Sequence, residues 1–524
     1  MNMNKFIKLT LLFLFCAVQP FSAQKYFITP LPHSVTEKIG VFPLTDEVSI
    51  EADPVLSNEV VYLKALLEAN YNIHLTDKSS KIIKITLEDK LLVGNQSGYI
   101  LSVNEESVVI KASTPEGVFY AIQTLRQLIE IQSSKAIIPC IEISDYPHYA
   151  WRGMMLDEGR YFKGKETVKT LLAEMAKLKL NVFHWHLTDD QGWRIEIKKY
   201  PLLTKIGSKR DSTQTNNGYD WPWIHNKWDG KPHAGFYTQK EIKEIIDYAE
   251  KLHITIVPEI EILTHTTAAI ASYPYLGTTG KKVSVACNLG VMDEVMDPSN
   301  PASMEFIYDV LDEVAALFPG KYIHVGGDEL LGDHWKMSES VRELKNALKI
   351  TEDYELQIWF FNQISWYLKN KGKNMIGWSD FIGKHNKPSK MKVNMAEGTI
   401  AQYWQGDYND LKYCLEHPLN VLQSHTDFAY FNASIPQIYK RELVPMQLPS
   451  ELKVKVLGIS AASWSEFNAT PEQTYKHIFP RIAAYAELGW TDEKQRDYDN
   501  FTKRLKKLCS KWKAQKLPIG EFKN

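Results

Sequence analysis

Two adjacent acids, Asp328 and Glu329, close the segment KYIHVGGDE (321–329), and their placement is the strongest chemical signal in the chain. Neighbouring side chains on a strand point to opposite faces. A pair like this serves one pocket only if the strand ends there and the backbone turns, which Gly326 and Gly327 permit. Two carboxyls held together do not both ionise readily, so one keeps its proton near neutral pH. An ionised Asp beside a protonated Glu is acid–base equipment for cleaving a glycosidic bond. An isolated GGDE would more often be a turn with a solvated Glu, so the surrounding elements decide.

From residue 150 onward, strand-like runs alternate with helical patterns, the order of a parallel barrel. The runs fall at 153–157, 181–187, 255–261, 321–325, 374–378, 399–404, 420–424 and 457–462. Helical periodicity covers 167–179, 239–251, 303–317 and 354–371. Polar and aromatic residues gather just past each strand: Asp157 to Arg160, Asp189 and Asp190, Glu261 to His265, Asp328 and Glu329, Trp378 to Asp380, Trp404, His425, and Trp464 to Glu466. Barrel enzymes build their sites at that rim. Residues 24–148 differ in texture. Short β-branched runs at 81–87, 98–103 and 107–111 precede a helical face at Val118, Ile122, Leu125 and Ile129. The expected architecture is α/β: a (β/α)8 TIM barrel over 149–524, preceded by a small accessory α/β domain that supports it.

Bulk charge gives no sign of a polyanion partner. Lys plus Arg (61) balances Asp plus Glu (63), so no nucleic acid is implied. The 26 Tyr and 14 Trp suit both core packing and stacking against sugar faces. Lys5 and Lys8 precede the apolar run 9–18, and Phe21-Ser22-Ala23 precedes Gln24, which reads as a signal peptide over 1–23 and an exported, periplasmic or secreted protein. The run is too short to span a bilayer, and Phe15 before Cys16 argues against a lipid anchor. Cys140, Cys287, Cys414 and Cys509 are scattered without a CxxC, which indicates neither a zinc site nor a disulfide scaffold.

WRGMMLDEGRYF (151–162), NVFHWHLTDDQGWRIEI (181–197), PEIEILTHTTAA (258–269), YIHVGGDE (322–329), GWSD (377–380) and ASWSEF (462–467) resemble glycoside hydrolase family 20, the β-N-acetylhexosaminidases. Residues 98–129 are similar to the family's N-terminal accessory domain. The resemblance covers nearly the whole chain beyond the signal. It implies exo-acting removal of terminal β-linked GlcNAc or GalNAc from an oligosaccharide or glycoconjugate, with no cofactor and no metal.

Adjacent acids fit the double-displacement scheme poorly, because nucleophile and acid must flank the scissile bond. Asp328 lies on the wrong side of the sugar for attack, so another nucleophile is required. By the resemblance, the sugar's own acetamido oxygen supplies it, Asp328 orients that group, and Glu329 is the acid and then the base. Asp189 and His265 match a supporting acid–histidine pair, with Asp190 the alternative acid. Arg152 matches an arginine on the sugar hydroxyls. Trp378, Trp404 and Trp464 match aromatic walls, Tyr430 a donor to the acetamido oxygen, and Glu466 an acceptor of far hydroxyls. Asn432 stands where the family usually has an Asp. The EILTH run around His265 also departs from the family pattern, as does LDEGRYF, which leaves Glu158 and Tyr161 without a role.

Rival readings are a metal site at His184-Trp185-His186, a catalytically dead sugar-binding barrel, and a relative that releases disaccharides. The first lacks further strand-end ligands in order, and the second is at odds with two intact acids. The third depends on loops such as 211–233. Oligomeric state is not encoded in any motif.

Overall fold

The computed structural model describes residues 27–522 except 77, 90, 92–94 and 216–226. The signal-peptide reading and the middle of the 211–233 loop lie outside the described residues.

Eight parallel strands close into a barrel: Trp151–Asp157, Val182–His186, Thr255–Glu259, Tyr322–His324, Asn374–Trp378, Ile400–Tyr403, Asn420–Gln423 and Val456–Ser463. The last pairs with the first, Ser460 opposite Gly153. The eight expected runs coincide with these strands to within a few residues. Trp151–Asp157 is buried along its whole length, as a strand covered on both faces must be. Helices pack outside. Gln239–Lys251, for example, starts at a capping box in which Thr238 and Glu241 satisfy each other's backbone N–H groups.

Register matters more for function than strand count. Asp157 pairs with His186, His186 with Glu259, and Glu259 with His324. Four polar residues from four strands therefore form one row at the C-terminal end of the barrel.

The accessory domain is a six-strand path with one extra strand paired to Lys135–Asp145, and the helix Pro115–Leu128 lies against it. The central strand Tyr99–Val103 alternates buried and half-buried residues, the period-two pattern of its sequence. This domain docks on the N-terminal end of the barrel through buried polar groups. Lys179 Nζ lies 2.8 Å from Asp145 Oδ2, Tyr99 donates to the same oxygen at 2.6 Å, and Trp490 Nε1 donates to Asp145 Oδ1 at 2.9 Å. Arg152 belongs to this end. Its guanidinium donates to the carbonyls of Lys179 (2.8 Å), Tyr149 (2.8 Å) and Ala150 (3.2 Å) and to the Tyr120 hydroxyl (2.7 Å).

No disulfide joins the four cysteines described, all of which are free thiols. Among the described residues, no helix is long and apolar enough to cross a membrane.

Candidate active site

Glu259 anchors the floor of the site. Its Oε1 accepts from Trp378 Nε1 at 2.8 Å and lies 2.8 Å from His324 Nδ1. Its Oε2 lies 2.8 Å from His184 Nε2 and also meets His186 Nδ1. Burial opposes ionisation of Glu259, but the surrounding imidazoles outweigh it and hold the carboxyl well below its ordinary range. His186 in turn stays protonated: burial disfavours its charge, and Glu259 and Asp189 more than offset that. The His-Trp-His pair thus serves a buried hydrogen-bond network. His184, Glu259 and His324, and separately His186, Glu259 and Glu261, are close enough to hold an ion, yet Glu259 already has a partner on each oxygen.

Beyond His324 the backbone turns sharply. Gly326 and Gly327 take φ of 65° and 95°, and Glu329 follows with φ of 55°. A Cβ at Gly326 would lie 1.6 Å from Glu261 Oε2, and one at Gly327 would lie 2.7 Å from the Phe361 ring. Glycine is therefore required twice, for backbone sign and for space. The turn sends both acids to one pocket, Asp328 deeper and Glu329 nearer solvent, with side chains 11% and 34% exposed.

His265 links them. Its Nε2 lies 3.3 Å from Glu329 Oε2 and 3.7 Å from Asp328 Oδ2. On the other side, Nδ1 lies 3.0 Å from Asp190 Oδ2, whose Oδ1 accepts from Thr267 N (2.9 Å) and Oγ1 (2.6 Å). Asp190, the alternative acid, is thus the hydrogen-bonded partner of His265. Asp189 Oδ1 is 3.6 Å from His265, while its Oδ2 meets His186 Nε2 at 2.9 Å and Arg160 at 3.0 Å. The expected Asp189–His265 pair is corrected to Asp190–His265, because Asp189 is spent on a different cation.

The resting charge pattern also differs from expectation. Burial pushes Asp328 up to about 8; His265 pulls against it, and Glu329 and Asp380 push with it. Burial raises Glu329 as well, but the hydrogen bond and charge of His265 win and hold it below the usual range. Among the protein groups alone, the shared proton is therefore favoured on Asp328. Proximity to His265 decides this, and sequence order does not reveal it.

Arg160 is the arginine at the rim. Its guanidinium lies 3.0 Å from Asp189, 3.2 Å from Asp157 and 3.4 Å from Glu466, and it covers the Trp464 ring at 4.9 Å. Arg152 is corrected accordingly. It begins the strand that Arg160 follows, so it sits at the opposite end of the barrel with its donors already used. Strand phasing was the available signal. Glu158, also unassigned, is buried and accepts from Trp185 Nε1 (2.6 Å), Tyr237 (2.7 Å) and the backbone N–H of Lys163 (2.7 Å). It pins the loop that carries Arg160. Tyr161 faces Arg210, with the guanidinium 4.9 Å from the ring centre.

Trp378, Tyr430 and Trp464 come together with Met155 and Ala462, and Trp404 packs at the edge. The Trp378 and Trp464 rings are 5.7 Å apart and tilted by 37°. Trp404 donates to Asp380 at 2.6 Å. Glu466 sits against Arg160, its carboxyl pushed up to about 7 by burial despite that cation. Asn432 is exposed at the margin, its Oδ1 2.8 Å from His477 Nε2. The EILTH run adopts left-handed backbone at Leu263 (φ 87°) and His265 (φ 50°).

The sequence model of glycosyl hydrolase family 20, catalytic domain, matches residues 149–493, and that of the family's domain 2 matches 25–146. The chain belongs to glycosyl hydrolase family 20. A β-hexosaminidase of Porphyromonas gingivalis is 32% identical over 92% of this chain, which spans 62% of that longer protein. One from Vibrio furnissii is 31% identical over 88% of this chain and 76% of its own length. Among solved structures, the Vibrio harveyi GH20 exo-β-N-acetylglucosaminidase in complex with N-acetylglucosamine superposes with a TM-score of 0.81 at 30% identity, covering 94% of this chain and 78% of that one. The Bacteroides fragilis β-N-acetylhexosaminidase gives a TM-score of 0.79 at 29% identity over 94% and 97%. The family 20 match spans the barrel and the accessory unit alike.

Proposed function

We propose that this chain is an exo-acting β-N-acetylhexosaminidase that removes terminal β-linked GlcNAc or GalNAc with retention, using the substrate's acetamido oxygen as nucleophile. The observation that carries this reading is the Asp328–Glu329 pair on one turn with His265 and Asp190 behind it. Consecutive residues cannot place carboxyls on opposite faces of one sugar, so Glu329 acts at the leaving group and Asp328 is left for the acetamido group. Intramolecular attack reaches effective molarities of roughly 10^5–10^8 M when well oriented.

The pair holds one proton, and its location follows what each acid faces. An acetamido N–H donating to Asp328 favours the ionised form there, which leaves the proton for Glu329. Glu329 gives it to the glycosidic oxygen, and the His265 cation stabilises the carboxylate that results. The same carboxylate then takes a proton from water as it opens the cyclic intermediate. Arg160 donates to sugar hydroxyls and Glu466 accepts from them, Trp464, Trp378 and Trp404 line the acetamido pocket and ring face, Tyr430 donates to the acetamido oxygen, and Asn432 meets the ring's outer edge. Export to the periplasm or medium is part of the proposal. It rests on the basic-then-apolar N-terminal sequence, and mass spectrometry of the mature N-terminus tests it: cleavage before Gln24 is expected.

Aryl β-GlcNAc, β-GalNAc, β-glucoside and a disaccharide donor test the function. Turnover of an N-acetyl sugar but not the glucoside is expected, together with competitive inhibition by a thiazoline mimic of the intermediate. No turnover of either N-acetyl sugar refutes the proposal, and turnover of the disaccharide donor alone shifts it to a disaccharide-releasing enzyme.

A further inference from the structure

Asn432 is joined to the Trp464–Glu466 rim through a chain of hydrogen bonds whose direction is fixed at one end. Asn468 has an amide atom 2.8 Å from the carbonyl oxygen of Trp464. A carbonyl only accepts, so that atom is Nδ2. The same Nδ2 lies 2.8 Å from His477 Nδ1, which must then accept. Ser463 Oγ, 3.4 Å from Nδ1, and Thr474 Oγ1, 2.8 Å from Asn468 Oδ1, agree with that orientation. An imidazole that accepts at Nδ1 carries its hydrogen at Nε2. Burial, with Arg481 and Lys163 nearby, pushes His477 down to about 3, so the ring is neutral at working pH. Nε2–H meets Asn432 at 2.8 Å, and the atom it meets must be Oδ1. What the exposed Asn432 amide turns outward is its NH2 group.

We propose that His477 is a positioning residue that locks Asn432 as a hydrogen-bond donor toward the substrate's outer hydroxyls, so this edge of the pocket selects for acceptor groups. The inference rests on the reading of Asn432 as a sugar contact. It also gives the Asn a meaning that loss of charge alone does not. A carboxylate at 432 would accept from both His477 and the sugar, whereas the locked amide only donates to the sugar.

Aryl β-GlcNAc substrates altered at O4 or O6 separate these cases. A fluorine accepts without donating, and an ammonium donates without accepting. The readout is the ratio of kcat/KM for the fluoro analogue to that for the amino analogue. Relative to the wild type, His477→Phe frees the amide to rotate and is expected to lower the ratio by roughly 3–10-fold, the size of one neutral hydrogen bond. Asn432→Asp is expected to lower it further, beyond parity in favour of the amine. A ratio unchanged in folded His477→Phe overturns the proposal. If 4-deoxy and 6-deoxy substrates lose the same rate in Asn432→Ala as in the wild type, the contact reading itself fails and takes the proposal with it. Nitrogen-15 NMR of the histidines, with His477 assigned by difference, reads the tautomer without any substrate. A neutral Nε2–H ring is expected, and a Nδ1–H ring or a cation at neutral pH overturns the proposal.

Discussion

Arg152 and Arg160 lie eight positions apart on the first barrel strand and its exit, both are buried, and they do opposite jobs. Arg152 gives its protons to three carbonyls and a tyrosine hydroxyl between the accessory domain and the barrel. Arg160 faces three carboxylates and an indole at the rim. Carbonyls are neutral acceptors that need nothing further, so the first arginine is fully used in holding the fold. Carboxylates leave charge and lone pairs to share with a ligand, which is why the proposed function assigns binding to the second. Partner chemistry, more than burial or motif, distinguishes a structural cation from a functional one.

Substitutions can break that comparison. The largest effect is expected at the acid the rim serves: Glu329→Gln should lower cleavage of natural glycosides by about 10^2–10^4-fold, the range for general acid catalysis. Aryl glycosides with good leaving groups should lose less, and equal loss on both would remove the acid role. Arg160→Met should cost kcat/KM roughly 10^2-fold, equivalent to one or two hydrogen bonds to a charged group at about 1.5–3 kcal/mol each, and should lower the melting temperature as well, because it strands the buried carboxyls of Asp157 and Asp189. Arg152→Met should lower stability alone, by about 3 kcal/mol through stranded buried acceptors, while kcat/KM stays near wild type. If Arg152→Met raises KM and spares Tm, the two assignments must be exchanged.

A finer test concerns pH. The proposed mechanism requires one proton on the Asp328–Glu329 pair, so kcat/KM should be bell-shaped. It should fall above about 8 as the proton leaves and fall again in acid as the second carboxyl takes one up. The His265 cation lowers both carboxyls. His265→Asn removes it, so both limbs should move to higher pH. A bell that stays in place would mean that His265 does not face the pair as a cation. The smallest effect is expected at Trp404→Phe, which keeps a ring but loses the bond to Asp380. A change of several-fold in KM with kcat nearly intact would place that ring in ground-state binding.

The barrel was legible because each strand carried a dense apolar run and each exit a polar cluster. The acid pair was legible because two glycines announced the turn. What stayed hidden was relative position. Arg152 and Arg160 share one motif, and only knowing where the strand begins tells which reaches the rim. Asp189 and Asp190 are chemically alike, and the turn after the strand decides which faces His265. The proton on Asp328 follows from its burial and from the 3.3 Å between His265 and the neighbouring Glu329, which no spacing in the sequence records. His477 lies on a helix beyond the last strand, and nothing local marks it as the ring that orients Asn432.

Glu329 sits in left-handed backbone, a conformation that costs an L-residue with a Cβ about 1–2 kcal/mol. Replacing it with glycine would abolish turnover and still release that energy, so the inactive protein should melt later than the active one. Selection for ruggedness alone would drive this position away from the acid, and its presence there records an advantage other than endurance.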